Sequence, residues 1–561
     1  MRGALPDALD ARRPARADTA VQRVAARVPL AAAVALTLAL APAAGARTIV
    51  VDAFDDGRDA APGDGICASD DVGVEGRCTL RSAVTEANAS PGPDAIALAV
   101  GTYRLTLGSP FEGPDDLAED IGDLDATEEL RITGAGADHS TVDANGIDRV
   151  LHVAPGVPVS LAGVTLRGGD AGAGRGGGVL VLGSLTLGTA RVVASRASEG
   201  GGIAIAPGGR AELALATVEG NVARAGGGIW SAGTLSLRAS IVRGNTATAG
   251  AGGGLLSSPS AALPAAADIA GTAVDGNGAS RGAGVASLGG SLLLANVTIA
   301  RNTAAEAGGG LLVAGPADLR HVTIAANAAP TGAALAVEAA GDVAASNALL
   351  VGPAGSTCSG AGVARGDHDL ASDTSCGLGR DGDQVGVDPM LGPLAGNGGA
   401  VPTMALRAGS PAIDGGAAAS CSPTDARLVP RPLGAGCDLG AVESPWTRGL
   451  PVPAALRACT VIGTDAADRL VGTGGPDVLC GLRGDDRLDG LEGPDRLDGG
   501  PGADDLIGGP GDDRLLAGPG DDRLRGGAGR DRLDGGPGLD RIARQLGDVL
   551  VGAPDRPRRS R

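Results

Sequence analysis

A nine-residue repeat near the C-terminus constrains the fold of this chain more than any other feature. Nine units follow one another without insertion or deletion, and the sixth residue of every unit is aspartate. The eighth residue is leucine in eight units and isoleucine in the last. The nine aspartates are Asp468, Asp477, Asp486, Asp495, Asp504, Asp513, Asp522, Asp531 and Asp540. The alternative is an acidic, glycine-rich solvated linker, but disorder does not need an apolar residue at every ninth place. The period therefore predicts stacked turns.

These nonads resemble the calcium-binding repeats of RTX, or haemolysin-type, proteins, whose pattern is GGxGxD followed by a variable, an apolar and a variable residue. The resemblance implies a parallel β-roll with two nonads per turn, in which Ca²⁺ lies between stacked turns and is bound by the aspartates and by glycine carbonyls. The predicted glycine ligands are Gly502, Gly511, Gly520, Gly529 and Gly538. By the family geometry, nine units enclose at most about seven ions.

The first four units depart from this pattern, whereas the units from Gly499 onward match it best. The departures are Thr464, Thr473, Leu482 and Leu491 at the second place, and Ala466 at the fourth place of the first unit. Ala517 replaces the first glycine of one later unit. We expect the calcium sites of these units to be weaker or absent.

Charge couples the folding of the nonads to a cation. Residues 463–543 contain 18 acidic and 10 basic residues, so stacked carboxylates repel one another and open the roll when no cation is bound. We expect it to fold on binding calcium. The whole chain has a net charge of −19, which argues against nucleic acid and anionic lipid as partners.

A second, longer repeat occupies the middle of the chain. The 561 residues include 98 Gly but only two Trp, two Phe and one Tyr, so large side chains are too few to fill a wide core. Small-residue triplets start at 176, 200, 226, 252, 282, 308 and 332, and short alternating apolar runs follow them. Each unit predicts a coil of roughly three strands. Five asparagines recur at equivalent places and are expected to stack: Asn221, Asn245, Asn277, Asn302 and Asn327.

These coils resemble the right-handed parallel β-helix of polymorphic outer-membrane-type repeat proteins. Two flanking segments carry further resemblances. Residues 48–107 include CTLRSAVTEAN, which predicts a short amphipathic helix and is similar to the CSLREA domain of exported bacterial β-helix proteins. Residues 388–443 resemble the choice-of-anchor Q domain, which precedes variable surface-attachment signals. Neither resemblance supplies a catalytic residue.

The N-terminus reads as a secretory signal peptide over 1–46, because a basic region precedes the short apolar run VPLAAAVALTLAL and an A-x-A-like end. An uncleaved anchor is the alternative. The mature chain is expected to contain no transmembrane segment. In an exported protein the eight cysteines form four sequence-near pairs, which predict disulfides rather than metal ligands. The pairs are Cys67 with Cys78, Cys358 with Cys376, Cys421 with Cys437, and Cys459 with Cys480.

Polysaccharide lyase or glycosidase activity is the alternative function, since those reactions use paired carboxylates or a calcium cluster with a positioned arginine. Acids between 160 and 350 are sparse and unpaired in sequence, and Trp230 is the sole aromatic residue there. Asp318 and His321 resemble an acid–base couple, but on a strand they point to opposite faces, and an exposed histidine is the simpler expectation. His368 is expected in a loop, where turn hydrogen bonding is the simpler expectation and metal binding the alternative, and residues 52–65 are a candidate for a further calcium site.

The predicted fold is all-β: a right-handed parallel β-helix followed by a calcium-binding parallel β-roll. The predicted order is signal peptide 1–46, N-terminal cap 47–110, β-helix 111–350, anchor-Q-like region 351–445, linker 446–458, β-roll 459–552 and basic tail 553–561. The chain is expected to be a secreted or cell-surface bacterial protein with no catalytic residues. It would act as an adhesin or extracellular-matrix component, with extracellular polysaccharide or cell-surface ligands as partners.

Overall fold

A computed structural model describes residues 47–108, 122–260, 263–446, 459–464, 466–545 and 547–551. The predicted signal peptide, residues 447–458 of the predicted linker and the predicted basic tail lie outside these ranges. The regular secondary structure of the described chain consists almost entirely of β-strands, as predicted. Its helices are the α-helix Leu80–Ala89 and the 3₁₀ turns Thr374–Cys376 and Ala418–Ser420.

The long repeat forms a parallel β-helix, which confirms the predicted fold class. Strands of successive coils pair in register in three long parallel sheets, and a shorter fourth sheet runs beside five coils. The first sheet contains Thr48–Val50, Asp94–Ala97, Leu130–Thr133, Pro158–Ala162, Ser184–Gly188, Arg210–Ala214, Thr234–Arg238, Ala266–Ala270, Ser291–Ala295, Pro316–Arg320, Asp342–Ser346 and Arg365–Asp367. The second contains Leu124–Ala126, Leu151–Val153, Val179–Val181, Ile203–Ile205, Ile229–Ser231, Leu255–Ser257, Val285–Ser287, Leu311–Val313, Leu335–Val337 and Cys358–Gly360.

The third sheet contains Gly101–Arg104, Ser140–Asp143, Thr165–Arg167, Arg191–Val193, Thr217–Glu219, Ile241–Arg243, Ala273–Asp275, Thr298–Ala300, Thr323–Ala325, Leu349–Leu350, Leu370–Ala371 and Gln384–Val385. The fourth contains Arg196–Glu199, Val222–Ala225, Thr246–Ala247, Gly278–Arg281 and Thr303–Ala307. Parallel coils therefore run from Thr48 to Val385, over a longer stretch than the triplet pattern marks.

Alternation along each strand builds the core of this rod. In Ser184–Gly188, Leu185 and Leu187 are fully buried while the other three residues of the strand are partly exposed. The triplet glycines form the bends, where a side chain does not fit: Gly200 has φ of 64°, and a Cβ there would lie 2.3 Å from the carbonyl oxygen of Ile203. The helix Leu80–Ala89 packs against the first coils and buries Leu80 and Val84.

The predicted asparagine column is present in the rod. In the first four asparagines the amide Nδ2 donates to the Oδ1 of the next asparagine and to a carbonyl of the preceding coil, as Asn245 does to Asn277 and Val218 at 3.0 Å each. The last, Asn327, donates to the carbonyls of Ile299 and Ala325. The backbone N–H of Asn245 also donates to Asn277 Oδ1 at 2.9 Å. These side chains are buried, so the column satisfies polar groups inside a core that water does not reach.

Residues after the last coil connect the rod to the nonads. Leu391–Asn397 and Thr403–Leu406 form an antiparallel pair, and the following loop lies against the rod, where the N–H of Ala441 donates to Thr323 Oγ1 at 3.0 Å. The strand Leu391–Asn397 also pairs with Arg469–Val471, the first strand of one nonad sheet. One sheet therefore continues from this segment into the repeat.

The nonads form a parallel β-roll of two sheets with an 18-residue period between paired strands. One sheet contains Arg469–Val471, Arg487–Asp489, Asp505–Pro510, Arg523–Ala528 and Arg541–Ala543. The other contains Val461–Ile462, Val478–Cys480, Arg496–Asp498, Arg514–Leu516, Arg532–Asp534 and Val549–Val551. The eighth-place leucines face inward, and those from Leu470 to Leu533 are fully buried. One buried leucine for nine ordered residues is a thin core, so the roll needs another stabilising contribution.

Candidate metal centre in the nonad region

The sixth-place aspartates form two columns, one along each edge of the β-roll. The first edge carries Asp468, Asp486, Asp504, Asp522 and Asp540, and the second carries Asp477, Asp495, Asp513 and Asp531. Within a column, each Oδ1 from the third unit to the ninth accepts a hydrogen bond from the backbone N–H of the aspartate one turn earlier. For Asp486 N–H and Asp504 Oδ1 the distance is 2.8 Å. These bonds fix the orientation of every such carboxylate.

The second carboxylate oxygen makes no hydrogen bond within the described residues in six units, from the third to the eighth. The six are Asp486, Asp495, Asp504, Asp513, Asp522 and Asp531. Their side chains are at most 3% exposed. A buried carboxylate oxygen without a donor is costly unless a cation binds it. In the five of these units that begin with glycine, this oxygen lies against that glycine; a Cβ on Gly508 would be 2.3 Å from Asp513 Oδ2.

The five predicted glycine ligands lie in the turns at the same two edges. Each approaches a backbone carbonyl one turn earlier so closely that a side chain is excluded. A Cβ on Gly520 would lie 1.6 Å from the carbonyl oxygen of Gly502, and one on Gly538 would lie 1.5 Å from that of Gly520. Gly511 and Gly529 stack in the same way on the second edge. Carboxylates and stacked backbone carbonyls form the all-oxygen environment that a hard cation such as Ca²⁺ prefers.

Burial raises the pKa of these carboxyl groups, because desolvation disfavours the charged form. The pKa of Asp486 and of Asp495 rises to about 7, and that of Asp504, Asp513 and Asp522 to about 6. Neighbouring aspartates of the same column add to the rise by like-charge repulsion. A divalent cation would remove both penalties at once.

The structure separates the four irregular units into two kinds. Leu482 and Leu491, in the third and fourth units, adopt φ of 79° and 71°, the left-handed conformation that glycine adopts in the later units. Asp486 and Asp495 in these units keep an Oδ2 with no hydrogen-bond donor in the described part of the roll. In the first unit, Asp468 Oδ2 instead accepts hydrogen bonds from Thr464 N–H at 2.5 Å and Thr464 Oγ1 at 2.9 Å.

The second unit repeats this arrangement, with Thr473 N–H and Oγ1 donating to Asp477 Oδ2 at 2.6 and 2.8 Å. The sequence pattern flagged both threonines as departures but did not predict that they satisfy the carboxylates. The sequence did contain a signal for this role, because threonine, which can donate a hydrogen bond, occupies the same place in two consecutive units.

Three of the four predicted disulfides are present: Cys67–Cys78, Cys358–Cys376 and Cys459–Cys480. The prediction for Cys421 and Cys437 is not met, because both are free thiols. Their sulfur atoms nevertheless lie within 4.8 Å of each other and of a ring nitrogen of His321. Burial raises the pKa of the Cys437 thiol to about 12, so it stays protonated.

The expectation that His321 is exposed is wrong, since its side chain is fully buried beneath the loop that carries Cys421. Its Nε2 lies 3.2 Å from the carbonyl oxygen of Ser420 and 3.1 Å from Asn347 Nδ2. Burial lowers the pKa of His321 to about 3, so the ring is neutral. Asp318 is ion-paired with Arg320 instead, and the two residues form no acid–base couple.

Other candidate residues have structural partners. In the 52–65 segment, Asp56 forms a buried ion pair with Arg81 of the helix, 2.8 Å from its Nε. His368 is partly exposed, with Nδ1 3.8 Å from Asp367. A cluster of Asp123, Asp125 and His152 lies near the helix, but Asp123 is paired with Arg149 at 3.1 Å.

Comparison with known proteins identifies the nonads. Residues 462–497, 481–515 and 507–542 match the family described as "RTX calcium-binding nonapeptide repeat (4 copies)". The C-terminal segment therefore carries RTX calcium-binding repeats, as predicted. No curated protein matches the chain.

Among solved structures, the chain is similar to "Crystal structure of pectate lyase Pel9A", with 14% identity and a TM-score of 0.45 over 71% of this chain and 98% of that one. It is also similar to "Structure of PL6 family alginate lyase AlyGC", with 9% identity and a TM-score of 0.26 over 84% of this chain and 78% of the other. Within the described ranges, no helix has the length and apolarity needed to cross a membrane.

Proposed function

We propose that this is an exported bacterial calcium-binding protein that acts as a non-catalytic adhesin or extracellular-matrix component. The observation that carries the proposal is the pair of aspartate columns, in which six buried Oδ2 atoms have no donor among the described residues. Calcium is scarce in the cytosol and abundant outside the cell, so the roll would close after export. The rod would then present its surface to polysaccharide or cell-surface ligands.

The residues that would hold calcium are those the repeats supply at both edges. The carboxylates of the third to eighth units would contribute charge, and the carbonyls of Gly502, Gly511, Gly520 and Gly529 would contribute neutral oxygens. Gly538 and Asp540 would complete the last turn, while Asp468 and Asp477 accept hydrogen bonds from Thr464 and Thr473. When bound, calcium supplies positive charge that joins successive turns. The chain itself fixes each carboxylate through its Oδ1 hydrogen bond.

Charge on the rod favours a binding role over catalysis. Every described acidic side chain between 160 and 350, except Asp170, forms an ion pair with an arginine. The pairs are Glu199–Arg175, Glu212–Arg210, Glu219–Arg191, Glu219–Arg243, Asp268–Arg238, Asp275–Arg301, Glu306–Arg281, Asp318–Arg320, Glu338–Arg281 and Asp342–Arg365. Burial alone would raise the pKa of Glu219, but its two arginines lower it. A carboxylate held in this way is a poor general acid at neutral pH.

The proposal also covers residues 1–46, the two ends of the rod and the connection to the roll. Residues 1–46 would be a cleaved signal peptide and residues 47–110 a CSLREA-like cap. Residues 351–445 would form a choice-of-anchor Q-like region, and the nonads after it would take the place of an attachment signal. Retention at the surface would then depend on calcium.

Calcium titration of the mature chain (47–561) tests the first part of the proposal. Hydrogen exchange across residues 481–545 should slow on addition of calcium but not of magnesium, because Mg²⁺ demands near-ideal octahedral geometry and loses its water reluctantly. Exchange across residues 151–337 of the rod should not change and serves as the internal control. Equal exchange in the nonads with and without calcium would refute calcium-dependent closure.

A panel of acidic and neutral polysaccharides tests the second part. We expect calcium-dependent co-sedimentation with a polysaccharide or with the cell surface, without release of shorter sugar chains. The lyase or glycosidase alternative would be established if the chain cleaves a polysaccharide and this activity depends on the rod. The activity would then persist in an Asp342→Asn control but be lost on substitution of another rod residue.

A further inference from the structure

We infer that the first two nonads do not bind calcium and form a calcium-independent base on which the rest of the roll folds. The inference rests on the proposed function, because it assigns calcium to six of the nine units and withholds it from two. Thr464 and Thr473 donate hydrogen bonds to the carboxylates of their own units, whereas a cation would bind the corresponding carboxylates of the later units.

Hydrogen bonds satisfy both oxygens of Asp477 without a metal. Its Oδ2 accepts from Thr473 N–H and Oγ1 at 2.6 and 2.8 Å. Its Oδ1 lies 3.2 Å from the hydroxyl of Thr460, which donates to it. Asp477 is 4% exposed, comparable with the 2% of Asp513 on the same edge, whose Oδ2 has no donor in the described chain. Asp477 and Asp513 are therefore almost equally buried, and they differ in the hydrogen-bond donors that face Oδ2.

Backbone conformation supports the same division. From the third unit onward the second residue lies in the left-handed region, whether it is Leu491 or a glycine such as Gly518, with φ of 104°. Thr464 and Thr473 are not among the described residues with positive φ. A β-branched residue strongly resists the left-handed region. The threonines thus impose a different turn, in which the N–H of the second residue faces the carboxylate.

The two units are also fixed to the rest of the chain. The disulfide Cys459–Cys480 spans them. The strand Leu391–Asn397 pairs with their first strand at Gly396 and Val471. The side chain of Asn397 accepts a hydrogen bond from Ile462 N–H at 3.3 Å. Covalent and sheet contacts hold this end whether or not calcium is present.

Matched asparagine substitutions test the inference in the mature chain. Asp477→Asn and Asp513→Asn lie on the same edge at nearly equal burial, and asparagine can keep the Oδ1 acceptor. Native mass spectrometry counts bound calcium. We expect about six ions on the unsubstituted nonads, one per unpartnered Oδ2. Asp513→Asn should remove at least one ion, and Asp477→Asn should remove none.

A variant that should gain a calcium site keeps the inference testable if the asparagine variants misfold. Thr473→Gly restores the GGxGxD pattern in the second unit and removes the hydroxyl, so the count should rise by one. Thr473→Val removes only the hydroxyl and should leave the count unchanged. Hydrogen exchange in a calcium chelator should show residues 469–480 protected and residues 486–534 exchanging at least tenfold faster.

The outcomes are distinguishable from failure of the proposed function. Loss of the same number of ions in Asp477→Asn and Asp513→Asn, or no added ion in Thr473→Gly, overturns the inference while calcium binding stands. Absence of any bound calcium overturns the proposed function itself. Equal chelator-induced exchange in 469–480 and 486–534 also overturns the calcium-independent base.

Discussion

Removing one asparagine from the buried column should destabilise the rod locally by several kcal/mol. Asn277→Ala deletes four hydrogen bonds: two that its Oδ1 accepts from Asn245, and two that its Nδ2 donates to Val242 and Asn302. All four distances are 2.9 to 3.0 Å, and the residues are buried. At about 1 kcal/mol for each bond lost, the cost is about 4 kcal/mol.

Native-state hydrogen exchange measures this cost where it arises. About 4 kcal/mol corresponds to roughly a thousandfold faster exchange by local opening, since about 1.4 kcal/mol is a tenfold change. The acceleration should centre on the amide of Asn245, which loses its acceptor, and should fade over neighbouring coils because contacts in a solenoid are local. Thr246→Ala is the matched control, as Thr246 is exposed and its side chain makes no hydrogen bond within the described residues. An acceleration below tenfold for Asn277→Ala would show that the column does not stabilise the rod.

Three further predictions concern the roll and the free thiols. The pKa of Asp486 is raised to about 7, so without calcium its carboxyl is protonated in the folded roll but ionised in the unfolded chain between about pH 4 and 7. Without calcium, circular dichroism should therefore show more of the roll closed at pH 5 than at pH 8, and the opposite trend would refute this assignment. Gly520→Ala would place a Cβ 1.6 Å from the Gly502 carbonyl oxygen, so the calcium concentration at the midpoint of roll closure should rise at least tenfold in a titration. An unchanged midpoint would contradict the stacking. Cys421 and Cys437 have sulfur atoms within 4.8 Å, so oxidised glutathione should join them with loss of two hydrogens, which non-reducing peptide mapping detects; two persistent thiols would be the contrary result.

Periodicity made the roll and the rod predictable. Position six and position eight of the nonad fix, respectively, the edge carboxylates and the inward leucines, because each unit repeats the same backbone path. The recurrence of asparagines such as Asn245 and Asn277 likewise predicted a column, since equivalent places in stacked coils must be neighbours. A repeated position carries the same physical constraint each time, and nine copies make that constraint visible.

Non-periodic contacts were not predictable in this way. The burial of His321 depends on a loop about a hundred residues later, whose Ser420 carbonyl covers it. The pairing of Gly396 with Val471 joins two segments with no shared pattern. The role of Thr473 depends on its backbone turn, and the sequence shows only that glycine is missing there. In each case the deciding contact is set by tertiary packing rather than by local preference.

Attachment of the first nonads to the rod changes what calcium has to do. A stacked repeat is stabilised by its neighbours, so the first turn of an isolated roll has no surface on which to form. Here the strand Leu391–Asn397 and the disulfide Cys459–Cys480 supply that surface before any ion binds. Calcium then needs only to extend an existing stack, turn by turn, toward the C-terminal strand Val549–Val551. The cost of starting the roll is met by the rod, so closure should require less calcium in the intact chain than in the nonads alone.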